Sequence, residues 1–243
     1  MVDRAAAMSY HGIDSSKKGR TMPNISLTAS DGHTLGAYRA DPEGSPRGGI
    51  VVIQEIFGVN SHIRSICDRL AGDGYAAIAP ALFDRTERDF ESGYSPEEIE
   101  KARGFIADPD FDAYLRDTDA ARAALADTGK VGIVGFCLGG SVAFVAATRL
   151  EGFSAAVGFY GGRIAGFADE TPRIPTQLHY GAEDHGIPMS NVDTVKEKRP
   201  DVEVFVYEGA GHGFNCDARP SYHPEAAKTA WARTMTFFAD HIG

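Results

Sequence analysis

Cysteine is scarce in this chain. Cys67, Cys137 and Cys216 are the three among 243 residues. An odd number with no CxxC pairing argues against both a disulfide framework and a cysteine-rich zinc site, and it fits a reducing, cytoplasmic setting. Basic residues are also in deficit, with 24 Lys and Arg against 34 Asp and Glu and a net charge of −10. No cationic surplus exists to displace counterions from a phosphate backbone, so nucleic acid is excluded as a partner. The negative charge serves solubility. No run approaches the ~18–20 apolar residues of a membrane span. Repeats and low-complexity tracts are absent too. The first 20 residues lack an apolar core of signal-peptide length and read as a loose tail.

What is present is ordinary for a globular protein: 43% hydrophobic and 24% charged residues. A chain of this length buries about three quarters of its unfolded surface. Residues 24–28 and 35–39 read as a hairpin around the turn signal Ser30-Asp-Gly32. The pattern then changes. Gly49–Ile53 is a continuous β-branched run, the mark of a strand buried on both faces of a parallel sheet. Residues 61–72 follow as a helix, with Ile63, Ile66, Cys67 and Leu70 on one face. Strands at 75–79, 130–136, 153–160, 176–180 and 202–207 alternate with helices at 96–107, 111–128, 138–150, within 189–199, and at 226–241. Such alternation without a linker predicts one α/β domain over residues 21–243, with a mostly parallel sheet of about 8 strands and helices on both faces.

One turn carries chemistry. Val131–Phe136 runs directly into Gly135-Phe-Cys-Leu-Gly139, a G-x-C-x-G corner between a buried strand and a helix. Flanking glycines permit a tight corner and leave the central residue exposed at its apex. A thiol there sits at a helix N-terminus, where unpaired N–H groups favour a thiolate. The amide of Leu138 then becomes an oxyanion donor. A free cysteine is more commonly a small buried apolar residue, which is the reading for Cys67, but the position of Cys137 between these glycines favours a nucleophile.

A nucleophile needs a base, and the base an orienting acid. In this kind of sheet they follow in the order acid, then histidine, on loops after later strands. Asp184 follows the strand at 176–180, with Glu183 and His185 as neighbouring competitors. His212 lies in the glycine-rich loop after the strand at 202–207. Glu55 is the remaining oddity, a carboxylate placed directly after the apolar run 50–53, where leaving it buried and unpaired is costly. It either reaches surface groups or faces the same pocket as Cys137, with the backbone N–H of Ile56 as a second oxyanion donor.

Taken together, several segments resemble the dienelactone hydrolase (carboxymethylenebutenolidase) family of the α/β-hydrolase fold. They are Gln54-Glu-Ile-Phe-Gly-Val-Asn60, Gly74-Tyr-Ala-Ala-Ile-Ala-Pro80 with Leu82 and Phe83, Gly135-Phe-Cys-Leu-Gly-Gly140, Phe159-Tyr-Gly161, Asp184-His185 and Gly211-His-Gly-Phe214. The resemblance implies a Cys137–His212–Asp184 triad, oxyanion donors at Ile56 and Leu138, and a Glu55 carboxylate that accepts a hydrogen bond from the resting thiol until an acidic substrate displaces it. It also implies two arginines for the substrate carboxylate. One falls on Arg85. The other falls on Cys216, so the clamp is incomplete unless Arg219 or Arg163 substitutes. Tyr160 is a further expected pocket wall.

The expected activity is hydrolysis of a lactone or activated ester, the substrate a small and possibly anionic molecule, through a thioacyl intermediate. No metal or organic cofactor is expected, because no HExxH, GxGxxG or P-loop spacing occurs. A general carboxylesterase or thioesterase would use the same residues. A thiol-redox sensor pairing Cys137 with Cys216, or a non-catalytic binding protein, are the other readings. The expected protein acts as a monomer or small homo-oligomer, with neither nucleic acid nor membrane as partner.

Overall fold

A computed structural model describes residues 24–243; the tail expected at residues 1–20 lies outside the described residues. The strongest apolar runs form the middle of the sheet. β3 (Gly49–Ile53) and β5 (Val131–Phe136) are buried along their whole length and pair in parallel, with Ile53 opposite Gly135. Residues buried on both faces leave no polar alternation, which is why these strands read as continuous runs in the sequence.

β1 (Asn24–Thr28) and β2 (Thr34–Ala40) form the expected antiparallel hairpin. β4 (Ala76–Pro80) takes β2 antiparallel on one side and β3 parallel on the other. β6 (Ala155–Phe159), β7 (Thr176–Gly181) and β8 (Glu203–Tyr207) extend the parallel part. The order is β1-β2-β4-β3-β5-β6-β7-β8, one sheet of 8 strands.

The helices are α1 (Ser61–Gly72), α2 (Pro96–Gly104), α3 (Phe111–Ala123), α4 (Leu138–Arg149), α5 (Met189–Lys198) and α6 (Pro224–His241). The chain moves from β3 to β4 in one direction and back across the sheet to β5 in the other. Right-handed crossovers therefore put α1 and α3 on opposite faces. α6 joins α1, with the Arg69 guanidinium lying 3.4 Å from the centre of the Trp231 ring. α4 packs beside α3. Among the described residues no helix is long and apolar enough to cross a membrane.

Element ends differ from the sequence reading by local causes. α2 stops at Gly104 rather than 107, and α3 stops at Ala123, with a 3-10 turn at Ala126–Thr128 finishing the stretch expected as one helix. α6 begins two residues early because His223 caps it, accepting the Ala226 N–H, and Pro224 fits its first turn. The parallel order leaves β3, β5, β6, β7 and β8 all ending on one edge, where ligands of such sheets bind.

Candidate active site

Cys137 sits between the end of β5 and the first residue of α4, with φ +55° and ψ −112°. A non-glycine residue in this region stores strain of about 1–3 kcal/mol and persists only where its surroundings hold it. Here Cys137 donates its N–H to the Phe159 carbonyl, and Gly139 donates to the Gln54 carbonyl. The corner is too tight for side chains: a Cβ on Gly135 would lie 1.9 Å from the Gly139 carbonyl oxygen, and one on Gly139 would lie 2.3 Å from that of Ile53. That contact explains the glycine spacing seen in the sequence.

Two later strand ends reach the thiol. His212, in the loop after β8, places Nε2 3.2 Å from Cys137 Sγ and Nδ1 2.7 Å from Asp184 Oδ2. Asp184 is buried beyond β7, and its other oxygen accepts the Gly186 N–H at 2.8 Å. Glu183 makes no such contact. Its backbone N–H donates to the Ala210 carbonyl, which ties the two loops together. Burial works against a charged imidazole, but the Cys137 sulfur and the Asp184 carboxylate outweigh it and lift His212 to about 10. Asp184, His212 and Cys137 are thus in contact in the expected order. Leu138 opens α4, so its N–H has no intrahelical acceptor. Ile56 lies in the turn after β3. Tyr160, at φ +39° and fully buried, sets its ring 5.2 Å from that of His212. Burial, with Glu55 nearby, raises its phenol well above the ordinary range.

Glu55 is buried, as the costly reading of its position requires, but its partner is not the thiol. Its Oε1 accepts from Arg219 at 3.1 Å, while Oε2 has no hydrogen-bond partner. The thiol–Glu55 hydrogen bond implied by the family resemblance is therefore not formed here, since the sulfur is turned to His212 and a guanidinium is the stronger partner for a buried carboxylate. Arg219 lies near the rings of Phe57 and Tyr94, 5.7 Å and 6.0 Å from their centres. Gly213, at φ +78°, makes room for it, because a Cβ there would meet the guanidinium at 2.4 Å.

Arg85 corrects a second expectation. Its guanidinium is saturated by Asp117, at 2.7 and 2.8 Å, and by Asp31, at 2.8 and 3.2 Å. Asp117 is fully buried on α3 and needs a counter-charge, so Arg85 has no free edge for a bidentate contact with a substrate. Arg163 donates to the Ile106 carbonyl at 3.0 Å. Of the two substitutes considered, only Arg219 stands against Glu55. Cys216 is buried, with Sγ 3.3 Å from the Tyr94 hydroxyl, and burial together with Glu55 pushes its thiol up to about 11. His62, on α1, was not anticipated. Its imidazole is buried, and burial lowers its pKa despite the nearby Glu55 and Asp217. Cys67 is buried in the core and its thiol is pushed far up, chiefly by burial with Asp68 adding to it, which fits its packing role.

This geometry can be set against known proteins. Residues 35–242 match the profile of the dienelactone hydrolase family. The chain belongs to the dienelactone hydrolase family. It is similar to a carboxymethylenebutenolidase homologue of Synechocystis sp., 37% identical over an alignment that covers 91% of this chain and 96% of the relative. It is 35% identical over 229 residues to the carboxymethylenebutenolidase of Pseudomonas putida, which spans 88% and 95% of the two chains. A crystal structure of a dienelactone hydrolase homologue from Klebsiella pneumoniae superposes with a TM-score of 0.78 at 32% identity, covering 89% of this chain and 99% of that one. The family is one of hydrolases on an α/β-hydrolase fold, and the 8-stranded sheet agrees with it.

Proposed function

We propose that this dienelactone hydrolase family member cleaves a lactone or activated ester through a thioacyl intermediate on Cys137. The observation that carries the reading is the chain of contacts from Asp184 through His212 to the strained Cys137. His212 takes the thiol proton as the sulfur attacks the carbonyl carbon. The N–H groups of Ile56 and Leu138 receive the developing oxyanion, an effect worth about 3 kcal/mol per donor. The carbon–oxygen bond then breaks, and His212 returns its proton to the departing oxygen. His212, oriented by Asp184, next takes a proton from water, and the hydroxide releases the acid from sulfur. An enol lactone suits this chemistry, because its enol oxygen is a better leaving group than a simple alkoxide.

Arg219 is the residue we assign to an anionic substrate group. Its guanidinium is half-buried against Glu55, so an incoming carboxylate competes with Glu55 for it. A second reading, a general carboxylesterase, is favoured by the saturation of Arg85 and by Cys216 standing where the family has an arginine. Hydrolysis of a carboxylate-bearing enol lactone, run beside a neutral aryl ester with wild type and Cys137→Ala, tests both. Strong preference for the lactone with a dead variant supports the lactonase; preference for the neutral ester supports the esterase. A variant fully active on both substrates overturns the thioacyl route.

A further inference from the structure

Beside the triad lies a second set of chemically active side chains, of which the proposed reaction uses only one oxygen of Glu55, on Arg219. Glu55 follows β3, His62 lies in the first turn of α1, and Cys216 is in the loop after β8. All three are buried, and one donor atom from each lies within 4.8 Å of the other two. Two of them carry unmet polar atoms. Neither ring nitrogen of His62 has a hydrogen-bond partner, although its side chain is 2% exposed, and Glu55 Oε2 has none either. Orphaned buried donors and acceptors each cost about 1–3 kcal/mol, so such a cluster is retained only if something satisfies it.

We propose that Glu55, His62 and Cys216 form a binding site for one thiophilic divalent cation of the zinc class. The donor set is one sulfur, one imidazole nitrogen and one carboxylate oxygen, which suits zinc or cobalt and disfavours magnesium or calcium. An ion at the centre of a triangle with 4.8 Å sides stands about 2.8 Å from each corner, so inward shifts of under ~1 Å reach ordinary zinc distances. A fourth position is left for water. Cys216 releases its thiol proton to solvent as the sulfur–metal bond forms, so that a thiolate and the free oxygen of Glu55 face the ion while Arg219 keeps the other oxygen.

Groups around the three donors are arranged to hold them. The Asp217 carboxylate lies 3.7 Å from His62 Nδ1, within ion-pair range but beyond a hydrogen bond. The Tyr94 hydroxyl stands at Cys216 Sγ and takes a hydrogen bond from Asn60 at 3.1 Å. Glu55 keeps one oxygen on Arg219 while the other is unpartnered. No short sequence spacing betrays the site, because its ligands come from three separate segments.

Titration with cobalt(II) tests it in the full-length Cys137→Ala protein, so that a signal from the triad thiol is removed. The expected result is one equivalent of cobalt bound with a thiolate-to-cobalt charge-transfer band, displaced by zinc. Adding Cys216→Ser abolishes the band. Adding His62→Asn instead, a milder change should the serine variant fold poorly, weakens binding by about tenfold or more. Zinc should also raise the melting temperature of Cys137→Ala, by less in the His62→Asn double variant and not at all in the Cys216→Ser one, since it binds only the folded site. Absence of the band in Cys137→Ala, or its persistence after Cys216→Ser, overturns the proposal.

Discussion

Two buried polar clusters share the same edge of the sheet and differ in how fully they are satisfied. In one, Asp184 holds the Gly186 N–H and His212, and His212 holds Cys137. In the other, Glu55 has one matched oxygen, His62 has no hydrogen-bonded nitrogen, and Cys216 touches a tyrosine hydroxyl. Matched contacts orient a side chain, and the first cluster has the positioning that the proposed reaction needs. Unmatched ones leave a group ready for a ligand, and the second cluster has that character. Arg219 stands at their junction, neutralising Glu55 while adding positive charge near the Cys137 sulfur.

The contrast can be broken at several points. Removal of the sulfur is expected to do most: Cys137→Ala should lower kcat/KM by about 10³-fold or more, because residues of a triad act as a unit. Steady-state hydrolysis of an activated ester checks this. Gly139→Ala comes next, for its Cβ would drive into the Ile53 carbonyl. Urea unfolding should show a loss above ~3 kcal/mol or no folded protein at all.

Arg219→Met should destabilise by about 3 kcal/mol, since it strands the Glu55 carboxylate in a buried place. Adding Glu55→Gln should recover much of that loss, and a double-mutant cycle reads the coupling. His212 offers a pH test. Its pKa is raised, so the stability that it contributes as an imidazolium is present in full below its unfolded value and is lost as pH climbs through about 10. In Cys137→Ala the main raising influence is gone, and NMR titration of His212 should find its midpoint lower. The smallest expected effect is a gain. Cys137→Gly relieves the positive φ and should stabilise the inactive protein by about 1 kcal/mol.

Much of this was legible in the sequence because it is local. The β-branched run at 49–53 reads as a strand buried on both faces, and G-x-C-x-G, placed between a buried strand and a helix, reads as a tight corner, where the structure shows that Cβ atoms on the glycines would collide. The order of Asp184 and His212 followed from their places after β7 and β8. What escaped were pairings made across the chain. Arg85 meets Asp117 and Asp31 through the packing of α3 and the β1–β2 turn, and neither partner is near it in sequence. Arg219 returns to Glu55 only because successive turns, Gly213 to Cys216 and Cys216 to Arg219, reverse the chain behind His212. His62 lies on the helix read at 61–72 outside the four residues named for its buried face, and its neighbours Glu55 and Asp217 come from the stretch after β3 and the loop after β8.

The thioacyl intermediate is the central claim, and rapid-quench mass spectrometry tests it most directly. Wild-type protein mixed with an activated ester and quenched in acid within the first turnover should carry one acyl group, mapped by peptide to Cys137 and absent from Cys137→Ala. Full turnover with no adduct on Cys137 at any quench time, and with the alanine variant equally active, would contradict it.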